Sequence, residues 1–227
     1  KTAVSISAVS DKIPLYFSYH IGSKEDPPFN KNNSHQWVDA AIINSEWREA
    51  HTGPGTFDWA LLDRKIADWT HAQDPADTRP PAKKVIIRVT PYGQNPLGKR
   101  LPSCPDCNDI TPPWVYGKGV PKITFVGGGT AGGDIVTVPQ AWHENFYPVY
   151  DEFLKALGEK YNSDARVAGF SIGFGHLDTW NAQASRNGGK AFQSEPFGWT
   201  LATWEEHTKR VMDSADRYIK KPLMFRA

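Results

Sequence analysis

The distribution of apolar residues along the chain predicts short buried strands that alternate with amphipathic helices. Five segments are short, apolar and rich in residues that favour strands: Ile13–Ser18, Ala40–Asn44, Lys84–Val89, Val167–Gly173 and Pro222–Phe225. Their apolar residues run continuously instead of alternating with polar ones. Continuous runs are typical of parallel strands that are covered on both faces, so the pattern favours a parallel sheet.

Three helices are predicted between these strands, because large apolar side chains recur there three or four positions apart. The apolar stripes run from Trp59 to Trp69, from Trp142 to Tyr161 and from Trp204 to Ile219, the last including Met212. Asp58 is predicted to cap the first helix. Thr203 and Glu206 form a capping-box pattern at the start of the third. Strands that alternate with helices in this way predict an α/β fold.

The connections that follow the strands are long, whereas those that follow the helices are short. Residues 45–57, 90–139 and 174–201 follow the second, third and fourth strands. Ligands bind at the carboxyl ends of the strands in barrels and in open α/β sheets. Long connections in a compact domain are usually functional. The sequence therefore predicts a binding surface at the carboxyl ends of the strands.

Composition and charge exclude several classes of partner. The 227 residues contain 26 Lys and Arg against 25 Asp and Glu, a formal net charge of +1 that predicts no binding to nucleic acid or to an anionic membrane. No apolar run is long enough to span a membrane. The glycine cluster at 127–133 lacks the Lys and Ser/Thr of a phosphate-binding loop, so we expect a loop and no cofactor. We expect one domain over residues 1–227.

Several short pieces of the chain resemble one enzyme superfamily. Residues 46–63 form a Trp- and Glu-bearing loop followed by a helix start that reads Gly, aromatic, Asp-Trp, Leu-Asp. The order and spacing continue through Lys84–Arg88, Trp142, Tyr150–Tyr161 and Asp164–Val167. These pieces, together with the glycine-containing fourth strand, resemble retaining glycoside hydrolases built on (β/α)8 barrels. The resemblance implies a (β/α)8 barrel of the TIM type and a secreted carbohydrate-active enzyme.

In that superfamily a Glu at the end of the fourth strand acts as acid/base, and a Glu at the end of the seventh acts as nucleophile. Where an Asn-Glu pair usually ends the fourth strand, this chain has Phe174 and Gly175. The chain also ends within the fifth predicted strand, whereas a barrel of this type needs about 250 residues or more. We therefore expect the amino-terminal part of a longer catalytic domain, or a barrel completed by the remainder of the chain or by a partner chain.

Hydrolysis of a glycoside needs two carboxyl groups, one to protonate the leaving oxygen and one to attack or to activate water. Asp178 is the first candidate, because it follows the fourth strand between His176 and Trp180. An acid, an imidazole and an indole within five residues are typical of a loop that contacts sugar. The alternative is that Asp178 caps a turn or pairs with Arg186.

Glu46 is the second catalytic candidate, since it follows the second strand. Its alternative role is a salt bridge to Arg88 or Arg48. Sugars are bound by aromatic rings that stack on them and by polar groups that hydrogen-bond their hydroxyls. The predicted substrate-binding residues lie in or beside the connections after the strands: His20, Trp47, Arg88, Tyr92, Trp114, His176 and Trp180. Arg88 has the alternative of being a buried structural residue.

The two cysteines form a single Cys-x-x-Cys, at Cys104 and Cys107. One such pair does not complete a four-ligand zinc site by itself, so we expect no metal. The prolines around it argue against the helix that a redox motif normally opens. A disulfide that closes a small loop is the preferred interpretation, and it fits a secreted protein.

Three functions remain open from the sequence. The first is a glycoside hydrolase acting on a polysaccharide or oligosaccharide, and the second is a non-catalytic barrel that binds carbohydrate. The third is a structural module completed by another chain. The absent Asn-Glu pair favours the second, and fold identity alone decides none of them because barrels host many chemistries.

Overall fold

The computed structural model describes residues 16–18, 40–70, 84–91, 109–126, 135–173 and 197–226. Within these ranges the strands are β1 (Tyr16–Ser18), β2 (Ala40–Glu46), β3 (His51–Gly53), β4 (Thr56–Phe57), β5 (Lys84–Thr90), β6 (Lys122–Val126), β7 (Ile135–Pro139), β8 (Val167–Gly173) and β9 (Leu223–Arg226). The helices are α1 (Trp47–Ala50), α2 (Ala60–Thr70), α3 (Pro113–Tyr116), α4 (Phe146–Tyr161) and α5 (Leu201–Tyr218).

Five of the strands form one parallel sheet in the order β1-β2-β5-β8-β9. Each strand pairs with the strand of this sheet that follows it in the chain, so every crossover moves in the same direction. A doubly wound sheet instead reverses its strand order at a switch point. The described residues therefore form an α/β fold that is consistent with part of a (β/α)8 barrel. They do not show a closed barrel.

One face of this sheet is covered by helices. Ile43, Ile87 and Phe170, on three successive strands, are fully buried in a single apolar cluster that also contains Ile66 of α2 and Phe153 of α4. Helix α2 packs on β2 and β5, and α4 packs against α5. The core therefore lies between the sheet and its helices, as the continuous apolar strands predict.

The helix starts agree only in part with the sequence predictions. Asp58 Oδ1 accepts a hydrogen bond from Ala60 N at 2.9 Å, which confirms the predicted cap of α2. Helix α5 begins three residues earlier than the pattern indicated, because Thr200 is its N-cap. Thr200 Oγ1 accepts from Thr203 N at 3.1 Å, and Thr203 Oγ1 accepts from Thr200 N at 2.9 Å. Thr203 thus takes the reciprocal position that was assigned to Glu206.

The long connections contain secondary structure that was not predicted. Strands β3 and β4 form a small antiparallel hairpin after β2. Strands β6 and β7 form a second hairpin after β5, with Lys122 opposite Pro139 and Val126 opposite Ile135. The glycine cluster that separates β6 from β7 lies outside the described residues. The connections after β2 and β5 are therefore partly ordered by their own strand pairs.

Replacing Tyr150 with phenylalanine tests the packing of α4. Tyr150 is fully buried, and its hydroxyl has no hydrogen-bond partner among the described residues. An unsatisfied buried hydroxyl costs about 1–3 kcal/mol, so Tyr150→Phe is expected to leave the free energy of unfolding unchanged or to raise it by about 1 kcal/mol. Urea denaturation measures this change.

The matched control for Tyr150→Phe is Tyr161→Phe on the same helix. The hydroxyl of Tyr161 donates to Asp63 Oδ1 at 2.9 Å, so removing it is expected to lower the free energy of unfolding by about 1 kcal/mol. Equal losses for the two variants would contradict the assignment of an unsatisfied hydroxyl to Tyr150.

Candidate functional site

Three polar side chains are aligned across the middle of the parallel sheet. Asn44 on β2 pairs in register with Arg88 on β5, and Arg88 pairs in register with Ser171 on β8. Their chain neighbours, such as Ile43 and Ile87, belong to the helix-covered core. Successive side chains of a strand point to opposite faces, so this polar row lies on the face opposite the helices. In a barrel that face lines the interior.

The polar row (Asn44, Arg88 and Ser171) is largely removed from solvent. Asn44 and Ser171 are buried, and Arg88 is half-buried. Polar groups in such a position are expected to be hydrogen-bonded to one another, to the backbone or to a ligand. For Arg88, the predicted substrate-binding role and its structural alternative both stay predictions.

Glu46 lies on the same face, nearer the carboxyl end of the sheet. It is the last residue of β2, two positions beyond Asn44, and it pairs with Thr90. Two residues along a strand span roughly 6.6 Å, and adjacent strands lie roughly 4.8 Å apart. Glu46 is therefore diagonal to Arg88, at a separation that two long side chains can bridge. A role in catalysis and an ion pair with Arg88 both fit this placement.

A buried lysine supports the end of β2 from the helix side. Lys65 on α2 donates through Nζ to the backbone oxygen of Asn44 at 3.2 Å and to Glu49 Oε2 at 3.3 Å. Among the described residues, β1 pairs with β2 from Ala40 to Ile42, and the Asn44 carbonyl lies beyond these pairs. Lys65 thus links the end of β2 to α1 and fixes the backbone from which Glu46 projects.

Residues 109–111 lie across the ends of β2 and β5. The backbone nitrogen of Arg48 donates to Ile110 O at 2.8 Å, and its guanidinium donates through Nη1 to Asp109 O at 3.2 Å. Thr111 Oγ1 donates to the backbone oxygen of Pro91, directly after β5, at 3.3 Å. The connection after β5 is therefore attached to the turn that follows Glu46.

Asp109 is a buried carboxyl group in this segment, with 7% of its surface exposed. Its carboxylate accepts hydrogen bonds from Thr111 N at 2.8 Å and from the Tyr116 hydroxyl at 2.5 Å. Burial raises the pKa of Asp109 to about 6, although these hydrogen bonds and the positive charge of Arg48 act in the opposite direction. Asp109 was not predicted as a functional residue. The available signal was the Asp-x-Thr pattern before two prolines, which is typical of an Asx turn.

Trp47 does not have the exposed position that sugar stacking requires. Its ring has an exposure of 0% and packs against Phe146, Tyr150 and Phe153, with ring centroids 5.2–6.0 Å away. Its Nε1 donates to His51 Nδ1 at 3.0 Å. A fully buried ring offers no free face for stacking on a sugar, so this geometry argues against the substrate-binding role of Trp47, which stays a prediction.

Trp114 also packs against the core. Its ring meets the His51 ring edge-on at 4.5 Å, and its Nε1 donates to His51 O at 3.0 Å. His51 in turn stacks on Phe57 at 4.4 Å. Trp114 is only partly buried, and its substrate-binding role stays a prediction.

The remaining candidates fall outside the described residues: His20, Tyr92, Cys104, Cys107, His176, Asp178 and Trp180. Their roles, including the disulfide, stay predictions. In the described part of the chain, no group of three or more His, Cys, Asp and Glu residues is arranged to hold a metal ion. None of the described helices is long and apolar enough to cross a membrane.

Comparison with known proteins supports the fold. No protein-family model matches the chain, and no curated protein matches it. The chain is similar to the solved catalytic domain of beta-amylase from Paenibacillus polymyxa, with 12% identity and a TM-score of 0.51 over 85% of this chain. It spans 59% of that domain, which is a glycoside hydrolase with a TIM barrel. At this identity the likeness concerns the fold alone.

Proposed function

We propose that the chain binds a polysaccharide or oligosaccharide at the carboxyl ends of β2, β5 and β8, and that it acts in the hydrolysis of glycosidic bonds. The observation that carries this proposal is the register of the polar row, with Glu46 next to it on the helix-free face. The similarity of the fold to a glycoside hydrolase catalytic domain supports it.

The chemistry of these side chains suits a polyhydroxylated ligand. The amide of Asn44 and the hydroxyl of Ser171 can each donate and accept hydrogen bonds, whereas the guanidinium of Arg88 donates several in a fixed plane. Glu46 supplies one of the two carboxyl groups that glycoside hydrolysis requires. We assign the second to Asp178, and we include export of the protein in the same proposal.

A second candidate function is carbohydrate binding without turnover. Phe174 and Gly175 stand where the superfamily resembled by this sequence has its Asn-Glu pair. A barrel that lacks this acid/base residue keeps its binding face but loses the group that protonates the leaving oxygen.

The two functions are separated by assaying the full chain against a panel of polysaccharides and oligosaccharides. Glu46→Gln keeps the size of the side chain but removes its charge and its proton chemistry. Because general acid–base catalysis contributes typically 10²–10⁴-fold, we expect this variant to lower kcat by about 100-fold or more. Glu205→Gln, at an exposed position of α5, is the matched control and is expected to leave kcat unchanged.

Each outcome of this assay has a distinct meaning. Hydrolysis by Glu46→Gln at the rate of the unsubstituted chain would remove Glu46 from the mechanism. Glycan binding without turnover by the unsubstituted chain would support the non-catalytic function. If the chain neither binds nor hydrolyses any glycan of the panel, the carbohydrate proposal is wrong.

A further inference from the structure

Asp109 joins two parts of the candidate site that are far apart in the sequence. Its backbone oxygen accepts from Arg48 Nη1, and Arg48 follows Glu46 by two residues. Its carboxylate accepts from the hydroxyl of Tyr116, the last residue of α3. The contacts of a single residue therefore attach the connection after β5 to the end of β2.

We propose that Asp109 is a positioning residue of the candidate site, which holds the guanidinium of Arg48, two residues after Glu46 in the chain, and sets by its own charge how strongly Arg48 attracts Glu46 or a bound ligand. The inference rests on the proposed function, because that function gives Glu46 its role in the site. It goes beyond that function because it assigns a role to a residue that does not contact the sugar.

The geometry around Asp109 supports two charge states. When the carboxylate is ionised, it accepts from Thr111 N and from the Tyr116 hydroxyl, and it attracts the guanidinium of Arg48. The O···O distance of 2.5 Å is in the range of a hydrogen bond to a charged oxygen. When the carboxyl group is protonated, its Oδ2–H donates to the Tyr116 oxygen instead, and the attraction to Arg48 is lost.

The groups that act on Asp109 are Arg48, Tyr116 and, in its own segment, Thr111. Arg48 lies on α1 and Tyr116 on α3, and the ammonium of Lys122 on β6 lies 4.7 Å from the centre of the Tyr116 ring. The positive charge of Arg48 and the hydroxyl of Tyr116 both lower the pKa of Asp109, while burial raises it to about 6. The change of charge thus falls in mildly acidic solution. Above that pH the Asp109 carboxylate attracts Arg48, and below it this attraction is lost while the hydrogen bond from Arg48 Nη1 to Asp109 O is kept.

The test follows the carboxyl carbon of Asp109 and the guanidinium of Arg48 by NMR. The full chain is titrated from pH 4 to 8, which covers about two pH units on either side of the expected midpoint. The signals are assigned by their loss in Asp109→Asn and in Arg48→Lys. We expect both signals to change with one midpoint near 6, and the change at Arg48 to vanish in Asp109→Asn.

Tyr116→Phe is the second variant, and it keeps the proposal testable if Asp109→Asn does not fold. Removal of a hydrogen bond that stabilises the carboxylate is expected to move the shared midpoint upward by about one pH unit. Asp213→Asn, at an exposed position of α5, is the control and is expected to leave the midpoint unchanged.

Glycan affinity measured over the same pH range connects the titration with the site. We expect the affinity to change about two- to tenfold across the Asp109 midpoint, and this change to be absent from Asp109→Asn. An Asp109 carboxyl that titrates near the ordinary value for aspartate, or Arg48 signals that ignore its titration, would overturn the proposal whether or not glycan binds. If the Asp109 and Arg48 signals share a midpoint but the chain binds no glycan, the proposed function is contradicted. The coupling of Asp109 to Arg48 is then still supported.

Discussion

Trp47→Ala is expected to lower the free energy of unfolding by about 3–5 kcal/mol, the range for truncating a large buried aromatic residue. The indole lies between the end of β2 and helix α4, and its exposure is 0%. Phe146, Tyr150 and Phe153 pack around it from α4, so its removal leaves a cavity that a rigid helix fills poorly. Urea denaturation followed by circular dichroism measures the loss.

Trp47→Phe distinguishes the stability contributed by the volume of this ring from the stability contributed by its hydrogen bond. Because Trp47 Nε1 donates to His51 Nδ1, the proton of the neutral imidazole lies on Nε2, and burial lowers the pKa of His51 to about 4. Phenylalanine keeps much of the ring but leaves His51 Nδ1 without its donor. We expect this variant to lose about 1–3 kcal/mol, less than Trp47→Ala.

Leu201→Ala is the control for both variants, because the Leu201 side chain is 65% exposed on α5 and its loss is expected to stay within about 0.5 kcal/mol. If Trp47→Ala unfolds at the same urea concentration as the unsubstituted chain and yet loses glycan binding, then Trp47 contacts the ligand and its assignment to the core is wrong.

The strands of the parallel sheet were the most predictable part of the fold. Val167–Gly173 has the same bounds in the sequence prediction and in β8, while β2 and β5 each extend slightly beyond the predicted segments Ala40–Asn44 and Lys84–Val89. Helices cover one face of these strands, which requires a run of buried apolar residues such as Ile43, Ile87 and Phe170, while Ile86 is buried on the opposite face beside the polar row. That requirement is local enough to be visible in one short window of sequence.

The hairpin of β6 and β7 was less predictable because each strand is stabilised by the other. The two five-residue strands are separated by residues 127–134, which contain the glycine cluster, and their surroundings are rich in proline. Strand preference depends strongly on the pairing partner and on burial, and neither is visible in a window of five residues. The glycine cluster therefore predicted a loop, and the β-branched residues on either side of it were not recognised as strands.

Only part of the candidate site was named from the sequence, and its arrangement was not. Glu46 and Arg88 were singled out because they lie near the ends of strands, and their roles stay predictions, whereas Asn44 and Ser171 were not singled out. The pairing of β5 with β8 shifts register between Val85 and Ile86, where β8 contains one extra residue. Without that shift Phe170 would stand opposite Arg88. Register of this kind depends on contacts between distant parts of the chain, so no local pattern reveals it.

Gly158→Ala is expected to lower the free energy of unfolding by about 2 kcal/mol or more, although alanine normally stabilises a helix by about 1 kcal/mol over glycine. A Cβ at position 158 of α4 would overlap the backbone oxygen of Tyr218, at the end of α5. The same oxygen accepts from Asn162 Nδ2 at 2.9 Å, and Asn162 Oδ1 accepts from Lys220 N at 2.8 Å. Relief of the overlap moves α5 away and weakens both hydrogen bonds, which fix the turn into β9.

The control for Gly158→Ala uses an exposed position on the same helix. Lys155→Ala is expected to be more stable than Lys155→Gly by about 1 kcal/mol, because only helix propensity differs between the two. The opposite sign at position 158 would then measure the cost of separating α4 from α5, since propensity alone favours alanine at both positions. A gain in stability for Gly158→Ala equal to that at position 155 would mean that the two helices do not approach each other as closely as the overlap requires.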